Sequence, residues 1–387
     1  MLPDLKTAPI KGKNVLLRID TDVSIESRWT DGNTGQITDD SRLKASIRTI
    51  KFLLESGAAK VYVIGHRGRP KGLDLTYSLW PVANRLAELL GFKREFSKPQ
   101  QIYEIDKKMV VFENLRFNPG EEDNSPEFAQ ELAQGRDIFI QDAFASCHRA
   151  HASTVGVLKH LQSYVGFSVL REVENLSRLL GATDLTIIIG GKKAKDKLSV
   201  IKHLFPRVES VLVGGVVANT FLKRQGHELG RSLIEEETFS QADEILAINQ
   251  KERRLYLPVD RLLSKSLEAP TMVRVADLDS LAEARLKDFY IVDLGPATIR
   301  RYQELIAKAK IIFWNGNMGV SEVPEFSDGT REIAEAIILS KAKKYAGGGD
   351  TTAFLRENHL DGDFDFLSSG GGATLEFLAG KKLPGLR

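Results

Sequence analysis

The sequence predicts two doubly wound, parallel-sheet α/β domains, and three observations carry that expectation. At 387 residues the chain is too long for one ordinary core. Hydrophobic residues make up 42%, enough to fill two cores and to exclude a disordered chain. Short β-branched runs alternate with amphipathic stretches along the whole length, the pattern of parallel strands covered by helices on both faces. Composition narrows the partners. The net charge is only +2, so no global field points to nucleic acid or membrane, and any anion site must come from local clustering. Basic and aromatic residues are not interleaved as in nucleic-acid binders. A single cysteine, Cys147, allows no intrachain disulfide and fits a reducing compartment. The first residues lack the apolar core of a signal peptide, and no apolar run is long enough to span a bilayer. A cytoplasmic protein with neither nucleic-acid nor membrane partners is expected.

In the first half, strands are expected over 15–20, 60–65, 109–113 and 138–142, with amphipathic helices over 42–55, 81–90 and 127–134. A helical segment over 170–180, stopped by Gly181, separates the halves and is the candidate connector. In the second half, strands are expected over 185–190, 211–215, 255–259, 290–294, 311–314 and 344–347, with a helix over 299–309. There is no internal repeat, low-complexity tract or long flexible linker. Parallel sheets bind ligands at the carboxyl ends of their strands, so those ends are where chemistry is expected.

In the first half the strand ends are basic. The first ends in Arg18-Ile-Asp20-Thr-Asp22, the second runs into His66-Arg67-Gly-Arg69, the third into Glu113-Asn-Leu-Arg116, and the fourth towards His148-Arg149-Ala-His151, while Arg42 opens the helix after the first loop. A guanidinium grips carboxylate or phosphate through two parallel hydrogen bonds, so a converging group of them suits an acid that also carries phosphate. Any one of these arginines alone is more simply paired with a nearby acid or solvated. Four at successive strand ends favour an anion site. His148 and His151 lack an evident third metal ligand, and Cys147 lacks a paired base, so neither metal binding nor thiol nucleophilicity is expected.

In the second half the strand ends are rich in glycine. The turns are Gly190-Gly191-Lys192-Lys193, followed by Lys195 and Lys197; Gly214-Gly215-Val216; Asn315-Gly-Asn317; Gly347-Gly348-Gly349-Asp350-Thr351; and Gly370-Gly371-Gly372. Glycine lets backbone N–H groups approach a phosphate, a following helix adds its positive end, and the lysines add mobile charge. Asp350 is a candidate for holding magnesium at nucleotide phosphates. The competing explanations are plain turn chemistry for the glycines and a helix cap for Asp350. Neither GxxxxGK[ST] nor GxGxxG occurs, so this is not a P-loop and a Rossmann site is unsupported.

The order of these motifs resembles phosphoglycerate kinase over nearly the whole chain. The segments that carry the resemblance are LLRIDTDV, ITDDSRLKASIRTIKFLL, GHRGRPKG, FENLRF, QDAF with HRAHAST, GGKKAKDK, TFLK, SLIEEE, LPVD, DLGP, WNGNMGV, GGGDT and SSGGGATLEFLAGKKLPG. It implies an N-terminal triose-phosphate domain over 1–168, a connecting helical hinge over 169–181, a nucleotide domain over 182–366, a deep cleft between the domains, and a segment, 367–387, that returns to the N-terminal domain. The implied activity is magnesium-dependent, reversible phosphoryl transfer between 1,3-bisphosphoglycerate and ADP, giving 3-phosphoglycerate and ATP, in a monomer. By the same resemblance Asp20, Asp22, Arg42, His66, Arg69, Arg116 and Arg149 correspond to the triose site. Gly191, Lys193, Lys197, Gly215, Ile291, Asn315, Glu322, Gly348, Gly349, Asp350 and Thr351 correspond to the nucleotide site, with Asp350 linked to the metal. Arg42, Lys193, Gly371 and Gly372 are the implied catalytic positions.

Several positions depart from the family pattern. Asp22 stands for an asparagine, Lys192 for an alanine, Val216 and Ile291 for glycines along the base slot, and Asn317 for a proline near the ribose. The phosphate-handling parts are thus kept while the nucleoside end is altered. The expected chemistry is direct in-line transfer to or from a carboxylate that is already ionised, needing neither enzyme nucleophile nor general base. Lys193, magnesium, the glycine-turn amides and Arg42 would share the charge, with domain closure expelling water. Two alternatives stay open: a weak or inactive homologue that binds nucleotide or phosphate, and a kinase for another small carboxylate or another base.

Overall fold

The computed structural model describes residues 1–26, 35–278 and 286–387. They fall into two units, Met1–Glu174 with Lys382–Arg387, and Asn175–Lys381.

The first unit holds β1 (Asn14–Arg18), a short ribbon of β2 (Ile25–Glu26) and β3 (Gln36–Ile37), α1 (Ser41–Glu55), β4 (Lys60–Ile64), α2 (Trp80–Leu90), β5 (Ile102–Asp106), β6 (Met109–Phe112), α3 (Pro126–Ala133), β7 (Ile138–Gln141) and β8 (Gln162–Val165). β1 and β7 are buried along almost their whole length because helices cover both faces, which is why their sequences read as unbroken apolar runs. α1 buries Leu43, Ser46, Ile50 and Leu53, a single stripe at helical spacing. The sheet runs β5-β6-β4-β1-β7-β8. It is parallel except for β5, which pairs antiparallel with β6. β5 and β8 were not among the expected strands. β5 alternates exposed and buried side chains, as an edge strand covered on one face does.

The connector is α4 (Phe167–Gly181), and the boundary between the units falls inside it. The second unit continues with β9 (Leu185–Ile189), α5 (Ala194–Leu204), β10 (Val208–Val213), α6 (Gly215–Arg224), α7 (Phe239–Glu252), β11 (Leu255–Tyr256), β12 (Asp260–Ser264), β13 (Arg274–Asp277), β14 (Tyr290–Leu294), α8 (Pro296–Ile306), β15 (Ile311–Asn315), α9 (Asp328–Leu339), β16 (Lys343–Gly347), α10 (Gly349–Glu357), β17 (Phe366–Ser368) and α11 (Gly372–Leu378). Its main sheet is parallel in the order β11-β10-β9-β15-β16-β17.

Two expected strands take a different place. The run over 255–259 stops at Tyr256, since Pro258 has no N–H for a ladder, and the chain turns away into β12. The strand over 290–294 forms, but as β14 it pairs antiparallel with β12 in a small β13-β12-β14 sheet. Asp260, at the start of β12, accepts hydrogen bonds from the N–H groups of Ala297 (2.8 Å) and Thr298 (2.7 Å) and so sets the start of α8 earlier than the expected 299–309.

The returning C-terminal segment is shorter than 367–387. β17 pairs with β16 and α11 packs on α5, so the chain through Lys381 stays with the second unit. Lys382–Arg387 joins the first, where Gly385 N–H donates to Cys147 O (2.9 Å) and Leu2 N–H to Leu386 O (3.0 Å).

Candidate functional site

In the first sheet the strand order reverses between β1 and β7, and a crevice opens at the carboxyl ends of such neighbours. Arg18, the last residue of β1, is fully buried there. Its Nη2 lies 2.8 Å from Nδ1 of His66, which follows β4, and donates to Ser146 Oγ beyond β7 (3.4 Å). Burial pushes Arg18 down from its ordinary value, against the pull of Glu121 and Asp20. Burial also holds His66 well below the usual histidine range, helped by Arg18, Arg116, Arg149 and His151, so the ring is neutral at pH 7. An arginine N–H can only donate. The contact is therefore a hydrogen bond only where Nδ1 of His66 is the bare nitrogen.

Around this pair stand most of the other expected residues. Asp20 accepts from Arg42 Nη1 at 2.7 Å. Burial pushes the Asp20 carboxyl up, but so close a guanidinium keeps the pair ionised, and Asp20 in turn raises Arg42. Asp22 Oδ1 accepts from Gly68 N–H (2.8 Å), while Gly68 O accepts from Arg116 Nη1. Arg116 is buried, its Nε lies 3.0 Å from Glu122 Oε1, and its Nη2 has no hydrogen-bond partner among the described residues. Arg149 is half-buried, donates from Nε to His148 Nε2 (3.3 Å), and lies within electrostatic reach of Arg18, His66 and Arg116. Arg69 is exposed beside them in chain order.

Glu121 is absent from the set expected from sequence, and Arg18, read there as one of the strand-end arginines, is not among the positions the resemblance assigns to the triose site. Glu121 is fully buried and accepts from Ser153 Oγ (2.6 Å) and Ser153 N–H (3.0 Å). Burial pushes its carboxyl up, but His151, Arg18 and Ser153 outweigh that and hold it low. The signal for Arg18 was its place at the end of the apolar run VLLR, where a buried charge demands partners. Cys147 is fully buried, donates to Ala143 O (3.4 Å), and has its thiol pushed up by burial, which fits an inert packed thiol.

In the second sheet the order reverses between β9 and β15. Here the chains meet backbone to backbone. Gly191 N–H donates to Asn317 O (2.7 Å), and a Cβ on Gly316 would sit 2.1 Å from Gly190 O. Gly316 also has φ +94°, so only glycine fits. Gly215, the first residue of α6, has φ +55°, and its N–H donates to Met318 O (3.0 Å). Lys193 caps α5 in the left-handed region at φ +62°, strained for a lysine, with its side chain exposed. The freed N–H of Ala194 is taken by Glu235 Oε2 (2.8 Å). Lys197, one turn on, is buried and donates to Lys192 O (2.8 Å) and to Gly190 O. Burial pushes its ammonium down to about 8, while Asp350 and Glu235 pull the other way.

A pocket of about 490 Å³ opens beside these turns and brings together Gly191, Gly215, Ile291, Glu322 and Asp350 of the expected nucleotide residues, with Val216 and Asn317 in its wall. The remaining expected residues do not line it. Asn315 is buried and donates to Gly347 O (2.8 Å), and Thr351 Oγ1 accepts from Gly316 N–H (2.7 Å), so both tie turns together from behind. Gly348 caps α10 at φ +99° just before Gly349, and Gly371 caps α11 at φ +53° just before Gly372. Asp293 also lines the pocket and was not expected. It is buried, accepts from Gly329 N–H (2.6 Å) and Leu294 N–H (2.8 Å), and burial raises its carboxyl to about 7.

Among the described residues no group of three or more histidine, cysteine or acidic side chains could hold a metal, and no helix is long and apolar enough to cross a membrane. Asp350 stands exposed in the first turn of α10. A lone carboxylate fits magnesium that arrives with nucleotide phosphates, because that ion keeps its waters and takes only one or two protein ligands.

An α/β phosphotransferase outside the P-loop class is what such a pair of crevices defines, one furnished with cationic side chains and the other with backbone amides. The phosphoglycerate kinase family model matches residues 5–381. The phosphoglycerate kinase of Dictyoglomus turgidum is 40% identical, with 99% of this chain and 97% of that protein covered, and that of Finegoldia magna is 39% identical over the same shares. Among solved structures, phosphoglycerate kinase from Coxiella burnetii superposes with a TM-score of 0.82 at 35% identity, covering 100% of this chain and 98% of the other, and that from Pyrococcus horikoshii with 0.78 at 31% over the same shares. The chain belongs to the phosphoglycerate kinase family. It is a phosphotransferase that passes a phosphoryl group between 1,3-bisphosphoglycerate and ADP, giving 3-phosphoglycerate and ATP, in glycolysis.

Proposed function

We propose that the basic crevice of the first unit binds the triose acid and the glycine-lined pocket of the second binds the magnesium complex of ADP or ATP. The observation that carries this division is the buried Nη2 of Arg116, which has no hydrogen-bond partner among the described residues and belongs to a side chain within electrostatic reach of the neutral imidazole of His66. A buried guanidinium nitrogen left unpaired is costly unless an anion completes it. Arg42, Arg69 and Arg149 supply further charge-assisted donors to the phosphate and carboxylate, with Arg42 oriented by Asp20. On the second unit, Gly191 and Gly215 admit the phosphates to backbone distance, and Lys197 holds the turn through two carbonyls while keeping a third N–H for an anion.

Lys193 follows the transferring phosphoryl group on a free side chain, and the amides at Gly371 and Gly372 share its charge. Asn315, Thr351, Gly348 and Gly349 shape the turns that present these groups, and Glu322 faces the sugar. Asp350 would hold the magnesium, which when bound neutralises phosphate charge. The carboxylate of 3-phosphoglycerate is ionised at neutral pH, so no residue need remove a proton from it. We place the protein in the cytoplasm as a monomer, a setting that suits a chain whose only cysteine is buried and unpaired. Steady-state kinetics of Arg116→Met test the division. The KM for 3-phosphoglycerate should rise at least roughly tenfold with the KM for ATP unchanged; a parallel rise in both would refute it.

A further inference from the structure

We propose that Arg18 is a positioning residue that locks His66 into the single neutral tautomer bearing its proton on Nε2, so that the first-unit crevice always offers its ligand a donor there. The inference rests on reading that crevice as the triose site. Arg18 Nη2 and His66 Nδ1 are 2.8 Å apart and both residues are buried, so no water competes for either. With a proton on Nδ1, two donors would face each other at that distance. The same conflict arises if the ring takes a second proton, and it is then joined by charge repulsion. The other half of the residue is fixed as well, because the His66 carbonyl accepts from Thr21 Oγ1 (2.8 Å).

Burial and the neighbours that act most strongly on the ring oppose a second proton. Arg18 does so from the end of β1, Arg116 from the turn after β6, and Arg149 and His151 from the segment after β7. Asp20 and Glu121, the nearby acids, are engaged with Arg42 and with Ser153 and His151. A crevice built this way binds an anion through a donor that does not come and go with pH. That differs from an ordinary histidine, which changes charge across the physiological range.

Nitrogen-15 NMR on protein labelled at histidine, with His66 assigned through His66→Gln, tests the proposal in wild type directly. The expected spectrum shows one neutral tautomer protonated on Nε2, with no titration between about pH 5 and 8. A proton on Nδ1, a mixture of tautomers, or an ordinary titration would overturn it. Adding 3-phosphoglycerate should shift the Nε2 signal. A correct tautomer with no shift would instead sink the triose assignment, and the proposal with it.

A second measurement is the ratio of 3-phosphoglycerate dissociation constants, variant to wild type, at a series of pH values, which cancels the titration of the substrate's own phosphate. For Arg18→Met the ratio should fall several-fold as pH is lowered, because His66 can then take up a proton and attract the anion. Arg18→Lys, which keeps a donor, should hold the ratio flat. A constant offset for Arg18→Met at every pH would mark Arg18 as merely structural.

Discussion

On the proposed reading, the two units hold anions by opposite means. In the first, side chains do it, each held in place: Arg42 by Asp20, His66 by Arg18, and Arg116 by the Gly68 carbonyl and Glu122. In the second, the backbone does it. Gly191, Gly215 and Gly316 sit at positive φ where β9 and β15 meet, and the charged side chains Lys193 and Asp350 stand exposed at helix starts. A pocket of interlocked side chains gives selectivity for one anion's shape, because its donors cannot rearrange cheaply. A pocket of amides behind free lysines suits a group in flight, where the charge to be met moves between ground and transition states. Deleting a side chain should therefore raise KM in the first unit and lower kcat in the second.

The sharpest break of that contrast is Lys193→Ala. The strained backbone at φ +62° remains, since alanine keeps a Cβ, and only the ammonium goes. Removing one preorganised donor to a developing charge typically costs about 10²–10³ in kcat. That loss is expected in ATP formation, with the KM for ADP changed by less than about threefold. A rise in KM with kcat intact would mean that the second unit binds through this side chain just as the first does. Next in size is Arg149→Ala, which should weaken 3-phosphoglycerate binding by about 1.5–3 kcal/mol, roughly 10- to 100-fold in Kd by calorimetry. An unchanged Kd would remove Arg149 from the crevice.

The same contrast explains what was legible in the sequence. The first-half strands β1, β4, β6 and β7 and the arginines that follow them were visible, because unbroken apolar runs mark covered parallel strands and charge marks a ligand. Asn315 and Thr351 illustrate the limit. They were expected at the nucleotide site, and the structure shows them tying Gly347 and Gly316 in place, a task that depends on which face of a turn a side chain takes. β12, and the antiparallel pairing of the expected strand β14 with it, were hidden for a related reason. Nothing local in 290–294 says whether its partner runs parallel, and the choice is made by the turn at Pro258 and by Asp260 reaching forward to cap α8. Arg18 was legible as a strand-end arginine, but its pairing with His66 was not, because the two are distant in sequence.

A smaller effect concerns Lys197. Burial lowers its ammonium to about 8, so in the free protein the charge fades as pH passes upward through that value. The KM for ADP should then rise from about pH 8 upward, and Lys197→Arg, whose guanidinium stays charged, should lose that inflection. The sign for stability is opposite. Folding depresses this lysine, so its burial cost is present in full below about 8 and is relieved as pH climbs towards the unfolded value. Chemical denaturation of wild type and Lys197→Met across this range should show the two stabilities diverging in wild type's favour at higher pH.

The smallest expected change tests Asp22, the first-unit acid that stands where the family pattern has an asparagine. Asp22 Oδ1 accepts from Gly68 N–H while Gly68 O accepts from Arg116, so the carboxylate anchors the turn that helps seat Arg116. An asparagine oxygen can accept the same hydrogen bond without the charge, which makes Asp22→Asn a clean subtraction of one negative charge beside an anionic ligand. Asp22 also attracts Arg42, Arg67 and Arg116. Those guanidinium groups stay protonated at any working pH, however, so losing the attraction does not lower their charge. The balance falls to the ligand: the KM for 3-phosphoglycerate should drop several-fold at low ionic strength, by a margin that shrinks with added salt, while kcat holds. If the KM rises instead, the carboxylate's hold on the arginine turn outweighs its repulsion of substrate, and interlocking dominates the first unit even where it works against the ligand's charge.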